Sequence, residues 1–234
     1  MQWDELDYWA SKDWDVAQQK LDKLEKEGNL LNPSWDNLWK MIDTVDMEKV
    51  KVLICGQDPY PNHELCTGIA FHIPADAPYV PPTLRTIIKE YLSDLHYEVP
   101  PSVSLMPWIE QGVMLWNVIP VTVQGQSLAC DWDEWKSLNM EIIQELDKQG
   151  CVFVFLGAKA RTYACNVTPE DNNVIELSHP SPRASRAAKH PFLGSRLFST
   201  INGMLISQGL DPIDWRLYAP TGAETKSETN VQVS

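Results

Sequence analysis

Four polar clusters in this chain share one context: each directly follows a short apolar run. Residues 50–55 empty through Gly56 into Gln57-Asp58-Pro59-Tyr60-Pro61, and residues 112–116 end at Asn117. Residues 151–156 lead to Gly157-Ala158-Lys159, and residues 174–177 to Ser178-His179-Pro180-Ser181-Pro182. Asp58 reads as a base, a nucleophile or the stabiliser of a cation, against the plainer reading of a helix or turn cap. His179 is either a functional imidazole or a satisfied histidine in a proline-rich turn. Asn117 carries a donor and acceptors on one amide, which suits the edge of a heterocycle. Tyr60 and Phe71 add an aromatic pair.

Several chemistries are set aside on spacing. One acid, one imidazole and one amide make a poor metal site. His63 and Glu64 are adjacent but lack the HExxH spacing of zinc hydrolases. Neither a glycine-rich phosphate loop nor a GxSxG elbow is present, which argues against NTP hydrolysis and acyl transfer.

The elements that must hold these clusters follow from periodicity. Run 50–55 is short, β-branched and broken only by Lys51, as a strand buried on both faces should be. The runs at 112–116, 151–156 and 174–177 predict three more strands. Between them lie helical stretches at about 83–95 and 133–148, and a last helix spans 195–208. Upstream, the spacing of Trp14, Ala17, Leu21 and Leu24 predicts an amphipathic helix within 3–31, ending near Gly28. Pro33-Ser34 opens a second helix holding Trp35, Leu38, Trp39 and Ile42, tryptophans read as core. Pro74, Pro78, Pro81 and Pro82 forbid regular structure in the loop after Phe71.

Strands alternating with helices mean crossover connections and a parallel sheet. All carboxyl ends then point one way and their loops converge on one crevice. The expected fold class is α/β: a single-domain three-layer α/β/α sandwich around a short, mainly parallel four-stranded sheet. It would occupy residues 1–220, with the small, polar residues 221–234 as a disordered tail.

With 234 residues, 44% of them hydrophobic, the chain can bury one large core. It has no apolar run of membrane-spanning length. Five scattered cysteines without a CxxC pair read as free thiols in a reducing compartment. The expected location is therefore intracellular: cytoplasmic, or nuclear if eukaryotic. A net charge of -13 argues at first against a nucleic-acid partner. The charge is uneven, however. Residues 1–50 hold twelve acids against six bases, whereas no acid lies between Glu176 and Asp211, where Arg183, Arg186, Lys189 and Arg196 fall.

GQDPYP, GIAF, WNVIPVTV, FLGAKA and SHPSP, in that order, resemble the family 1 uracil-DNA glycosylases over residues 10 to 217, including DPIDW near the end. The resemblance implies that Asp58 orients the attacking water and stabilises the sugar cation. It implies that neutral His179 hydrogen-bonds uracil O2 as charge builds on the leaving base. Asn117 would read N3 and O4, Phe71 would stack on the flipped base, Tyr60 would exclude a thymine methyl, and Gln57 would contribute its backbone. Phosphates would be met by Thr83, Gly157, Ala158 and Ser181 through hydroxyls and main-chain amides. The partner implied is uracil-containing DNA, single- or double-stranded, bound by a monomer. No metal or organic cofactor is implied.

The chain departs from the family pattern at three places. Pro61 stands where a histidine is usual, and Ala158 where a serine is usual. Arg183 stands where a duplex-wedging leucine is usual, in a longer loop that leaves Arg183, Ala184 and Ser185 as wedge candidates. Two other functions remain to be weighed. One is a non-catalytic DNA-binding or replication-accessory protein, with the acidic aromatic N-terminus meeting a replication partner. The other is an acidic DNA mimic, which fits the charge and not the motifs.

Overall fold

The computed structural model describes residues 2–168, 173–182, 184 and 189–218. Its strands are β1 (Leu31–Asn32), β2 (Val52–Gly56), β3 (Val113–Asn117), β4 (Thr122–Val123), β5 (Val152–Leu156) and β6 (Val174–Leu177). The helices are α1 (Lys12–Lys26), α2 (Lys40–Thr44), α3 (Pro82–Leu95), α4 (Met106–Ile109), α5 (Trp135–Asp147), α6 (Ala158–Arg161) and α7 (Leu197–Ser207).

β3, β2, β5 and β6 pair in that order, every pair parallel. Every residue of β2 and β5 is buried, as their unbroken apolar runs require. On one face, Ile54, Leu115 and Leu156 meet Ile87 of α3, Trp108 of α4 and Leu197 and Phe198 of α7. On the other, Trp116 stacks on Trp39 and donates its indole N–H to Asn139 of α5 at 2.7 Å. Alternate strand residues thus feed two helical layers, giving the three-layer α/β/α arrangement. No helix among the described residues is long and apolar enough to cross a membrane.

The N-terminal helix is shorter than its periodicity predicts. Trp3–Glu5 and Asp7–Ala10 form 3-10 turns, and α1 begins only at Lys12. Ser11 is the reason on the local side: its backbone is extended and its Oγ accepts from the Trp14 N–H, which makes it the N-cap. Glu141 of α5 is the tertiary reason, since its carboxylate accepts from the N–H groups of Asp7 and Tyr8 at 2.6 and 2.9 Å. Leu31 does not extend the helix either; it pairs with Val123 in an antiparallel β1–β4 ribbon that periodicity did not reveal. The second helix is split into a Trp35–Asn37 turn and α2, while the segment from Thr221 onward lies outside the described residues.

Two carboxylates on α3 tie the first crossover to the last helix. Glu90 is buried and accepts from the N–H groups of Gly194 and Arg196 and from the Ser195 hydroxyl. One turn later, Asp94 accepts from the N–H and hydroxyl of Ser199 in the first turn of α7. α7 has no side-chain cap of its own, so its free amides are met from α3 instead. Glu90→Leu should leave three donors unmet and lower the free energy of unfolding by about 3 kcal/mol or more, read from urea denaturation.

Candidate active site

The carboxyl ends of β2, β3 and β6 open on one cavity of about 200 Å3. Gln57, Asp58, Tyr60, Phe71, Thr83, Asn117 and His179 line it together, although they come from segments widely separated in sequence. Strand register brings them level. Gly56 faces Asn117 across β2 and β3, and Leu156 faces Leu177 across β5 and β6. The residues that follow therefore emerge on one rim.

Gly56 sets the width of this cavity. A Cβ there would stand 2.6 Å from Asn117 Oδ1 and 2.7 Å from Phe71 Cζ, so only a bare backbone lets amide and ring approach each other. Phe71 itself takes a left-handed backbone with φ 64°, a costly conformation for an aromatic residue. Its carbonyl accepts from the Tyr60 hydroxyl at 3.2 Å, which joins the two aromatic residues of the site. Burial raises the Tyr60 pKa and pushes the Cys66 thiol up to about 11, so both present neutral walls.

Asp58 is gripped at both oxygens. Gln57 Nε2 donates to Oδ1 at 2.9 Å, and the Leu128 N–H donates to Oδ2 at 2.8 Å. Leu128, like Phe71, holds a left-handed backbone, with φ 61°. Its neighbour Ser127 also lines the cavity. Neither residue is legible from sequence, because a main-chain donor leaves no mark on residue type. Gly56 does carry a signal, as a glycine closing a buried strand. The Pro61 carbonyl accepts from the Gly125 N–H and from Asn32 Nδ2, both at 2.8 Å. The β1–β4 ribbon thus anchors the Asp58 loop from below.

His179 is oriented by main chain. Its Nδ1 accepts from the Ser181 N–H at 3.2 Å, and since an amide N–H only donates, the neutral ring carries its proton on Nε2. Burial lowers the His179 pKa, and the Asp58 carboxylate opposes that shift without cancelling it. Gly157, at φ 94°, lies against the ring: a Cβ there would meet His179 Cβ at 3.1 Å. Ser181 Oγ accepts from the Ala184 N–H, and Ala158 is exposed at the start of α6. Arg183 and Ser185 lie outside the described residues.

A carboxylate, an imidazole, a carboxamide and an aromatic ring thus surround one hollow at the carboxyl edge of an α/β sheet, the usual place of an active site in such a fold. Comparison with known proteins makes the class specific. The sequence model of the uracil DNA glycosylase superfamily matches residues 42–205. The uracil-DNA glycosylase of Mycolicibacterium gilvum is 37% identical over 192 residues, 81% of this chain and 83% of that one. That of Acinetobacter baylyi is 31% identical over 215 residues, 91% and 90% of the two chains. The crystal structure of mimivirus uracil-DNA glycosylase superposes with a TM-score of 0.81 at 26% identity, covering 89% of this chain and 83% of that one. The chain belongs to the uracil-DNA glycosylase superfamily.

Two outcomes follow from the geometry. Gly56→Ala should leave the fold intact while displacing Asn117 and Phe71 into the hollow. Base release should then fall about a hundredfold, and crowding against the buried Phe71 should lower the free energy of unfolding by about 1–3 kcal/mol. The second outcome concerns acid. His72, bonded to Thr67 and Ser104 beside Phe71, has its pKa pushed down to about 4 by burial. A histidine kept neutral by folding takes its proton first in the unfolded chain. Stability is therefore full above roughly pH 6.5 and drains away toward pH 4. Urea midpoints measured across that range should fall with pH, and His72→Gln should flatten part of the slope.

Proposed function

We propose that this hollow holds a uracil extruded from DNA and that its side chains hydrolyse the N-glycosidic bond, leaving an abasic site. The observation that carries the reading is the meeting of Asp58, Tyr60, Phe71, Asn117 and His179 around one cavity. Water attacks C1′ of the deoxyribose as the C1′–N1 bond breaks and the bonding pair leaves with the base. Asp58, fixed by Gln57 and Leu128, orients that water, stabilises the cationic sugar and takes up the proton released. His179 donates from Nε2 to uracil O2 as negative charge gathers there. A neutral donor suits this task, because it stabilises the anion without passing a proton to it. Asn117 matches N3–H and O4 of uracil, and Phe71 stacks on the ring. Tyr60 fills the space a 5-methyl group would need.

The DNA is gripped by Thr83, Ser181 and the main chain at Gly157 and Ala158, so an acidic chain need not offer many cations. Arg183 takes part in engaging the duplex. The substrate is uracil-containing DNA, single- or double-stranded, the enzyme acts as a monomer, and residues 1–220 are the catalytic unit. Five unpaired cysteines support work in a reducing compartment, inside the cell.

The test is release of free base from single-stranded and duplex oligonucleotides carrying one uracil, with thymine and cytosine controls. Uracil alone should be released. In Asp58→Asn the amide oxygen still accepts from Leu128 and the Gln57 amide can turn over to match, so DNA binding should persist. Activity should drop by roughly a hundred- to ten-thousandfold. An unimpaired Asp58→Asn would remove the water-orienting role. Bound DNA without any release by the unaltered protein would make it an accessory factor instead.

A further inference from the structure

A second hollow lies outside the catalytic machinery, on the helical layer over β3. Trp9, Trp14 and Trp39 meet there, all half-buried. Their ring centroids are 5.5 Å apart for Trp9–Trp14, 4.9 Å for Trp9–Trp39 and 5.6 Å for Trp14–Trp39, with planes crossed at 88°, 77° and 65°. Rings this close and so nearly perpendicular pack edge to face against one another, and the surfaces they leave uncovered form one wall of a hollow. With Trp3 they line an open hollow of about 450 Å3, and the exposed carboxylates of Asp4 and Asp43 stand on its rim. None of its lining residues belongs to the base pocket.

Charge decides what such a hollow takes. Indole faces carry negative potential and attract cations, most strongly where water is excluded. The rim carboxylates add to that attraction, in a stretch of 50 residues holding twelve acids and six bases. The same charge repels phosphate, so a nucleic-acid strand is disfavoured. The chain already makes one contact of this kind, with Lys20 Nζ 5.2 Å from the Trp132 ring centroid. Its own residues 221–234 are a poor occupant, because they hold Glu224 and Glu228 against a single lysine. Tryptophan is also the residue type most enriched at the energetic centres of protein interfaces. We propose that this hollow docks a cationic segment of a partner protein, laying an arginine or lysine flanked by apolar residues against the uncovered surfaces of Trp9, Trp14 and Trp39, with Asp4 and Asp43 meeting its charge.

The probe is a short acetylated and amidated peptide of alternating leucine and arginine, titrated into the full chain carrying 15N-labelled tryptophan. The indole N–H signals of Trp9, Trp14 and Trp39 should shift, while those of the buried Trp108 and Trp215 stay put. The same peptide with glutamate for arginine should shift nothing. Asp4→Lys with Asp43→Lys should weaken binding about tenfold or more. Glu98→Lys with Glu110→Lys makes the same change of net charge at exposed positions elsewhere and should weaken it far less. Uracil release should continue with the peptide bound, because the two hollows share no residue. Unmoved Trp9, Trp14 and Trp39 signals would overturn the proposal, as would equal weakening by both double variants, which would mean diffuse charge attraction. Concentration-dependent self-association abolished by Asp4→Lys with Asp43→Lys would assign the hollow to a second copy of this chain and overturn it too.

Discussion

β2 is hydrogen-bonded on both sides, to β3 and to β5. A central strand of this kind cannot slide by one residue without breaking two ladders and turning every buried side chain to the wrong face. The position of Gly56, and so of Gln57 and Asp58 after it, is therefore set by the whole sheet and not by the loop. Asn117 is level with Gly56 for the same reason, and β5 and β6 carry Gly157 and His179 to the same rim. The geometry of the cavity inherits its precision from this register.

Main-chain groups then do most of the fine positioning. Leu128 N–H holds Asp58, Ser181 N–H holds His179, and the Phe71 carbonyl holds Tyr60. Such donors and acceptors move only when backbone moves, so they fix a side chain more firmly than another mobile side chain would. Two of the backbones involved, at Phe71 and Leu128, sit in the left-handed region that non-glycine residues avoid. Strain of that kind, typically about 1–3 kcal/mol per residue, persists only where the surrounding structure over-determines it. Both instances adjoin the site.

The distribution of charge separates two surfaces. The rim of the cavity at the sheet's carboxyl edge offers hydroxyls, amides and glycines and few charges. The aromatic face built from the first 45 residues is acidic, and Trp9, Trp14 and Trp39 remain half-buried on it while Trp3 sinks into the core. Glu141 of α5 holds this face in place by capturing the amides of Asp7 and Tyr8. An N-terminal segment that periodicity alone would make one helix is thereby bent into two turns and a shorter helix.

The four core strands, the long helices and most of the site residues were legible in the residue order. Buried parallel strands advertise themselves as short, mostly apolar runs, and parallel topology brings whatever follows them to one edge. Asp58, Asn117 and His179 could be paired on those grounds, and the motif resemblance assigned their roles. The early turns, the β1–β4 ribbon, the bonds from Leu128 to Asp58 and from Ser181 to His179, and the edge-to-face cluster of three tryptophans were not legible. Each rests on contacts between distant segments, made by backbone groups that every residue shares or by ring angles that only packing defines. The sequence by itself determined the fold class and the family, and it named the side chains that the sheet brings to one cavity. Tertiary structure alone decided how those side chains are held and which aromatic faces stay open to solvent, because residue type does not encode a main-chain bond or the angle between two rings.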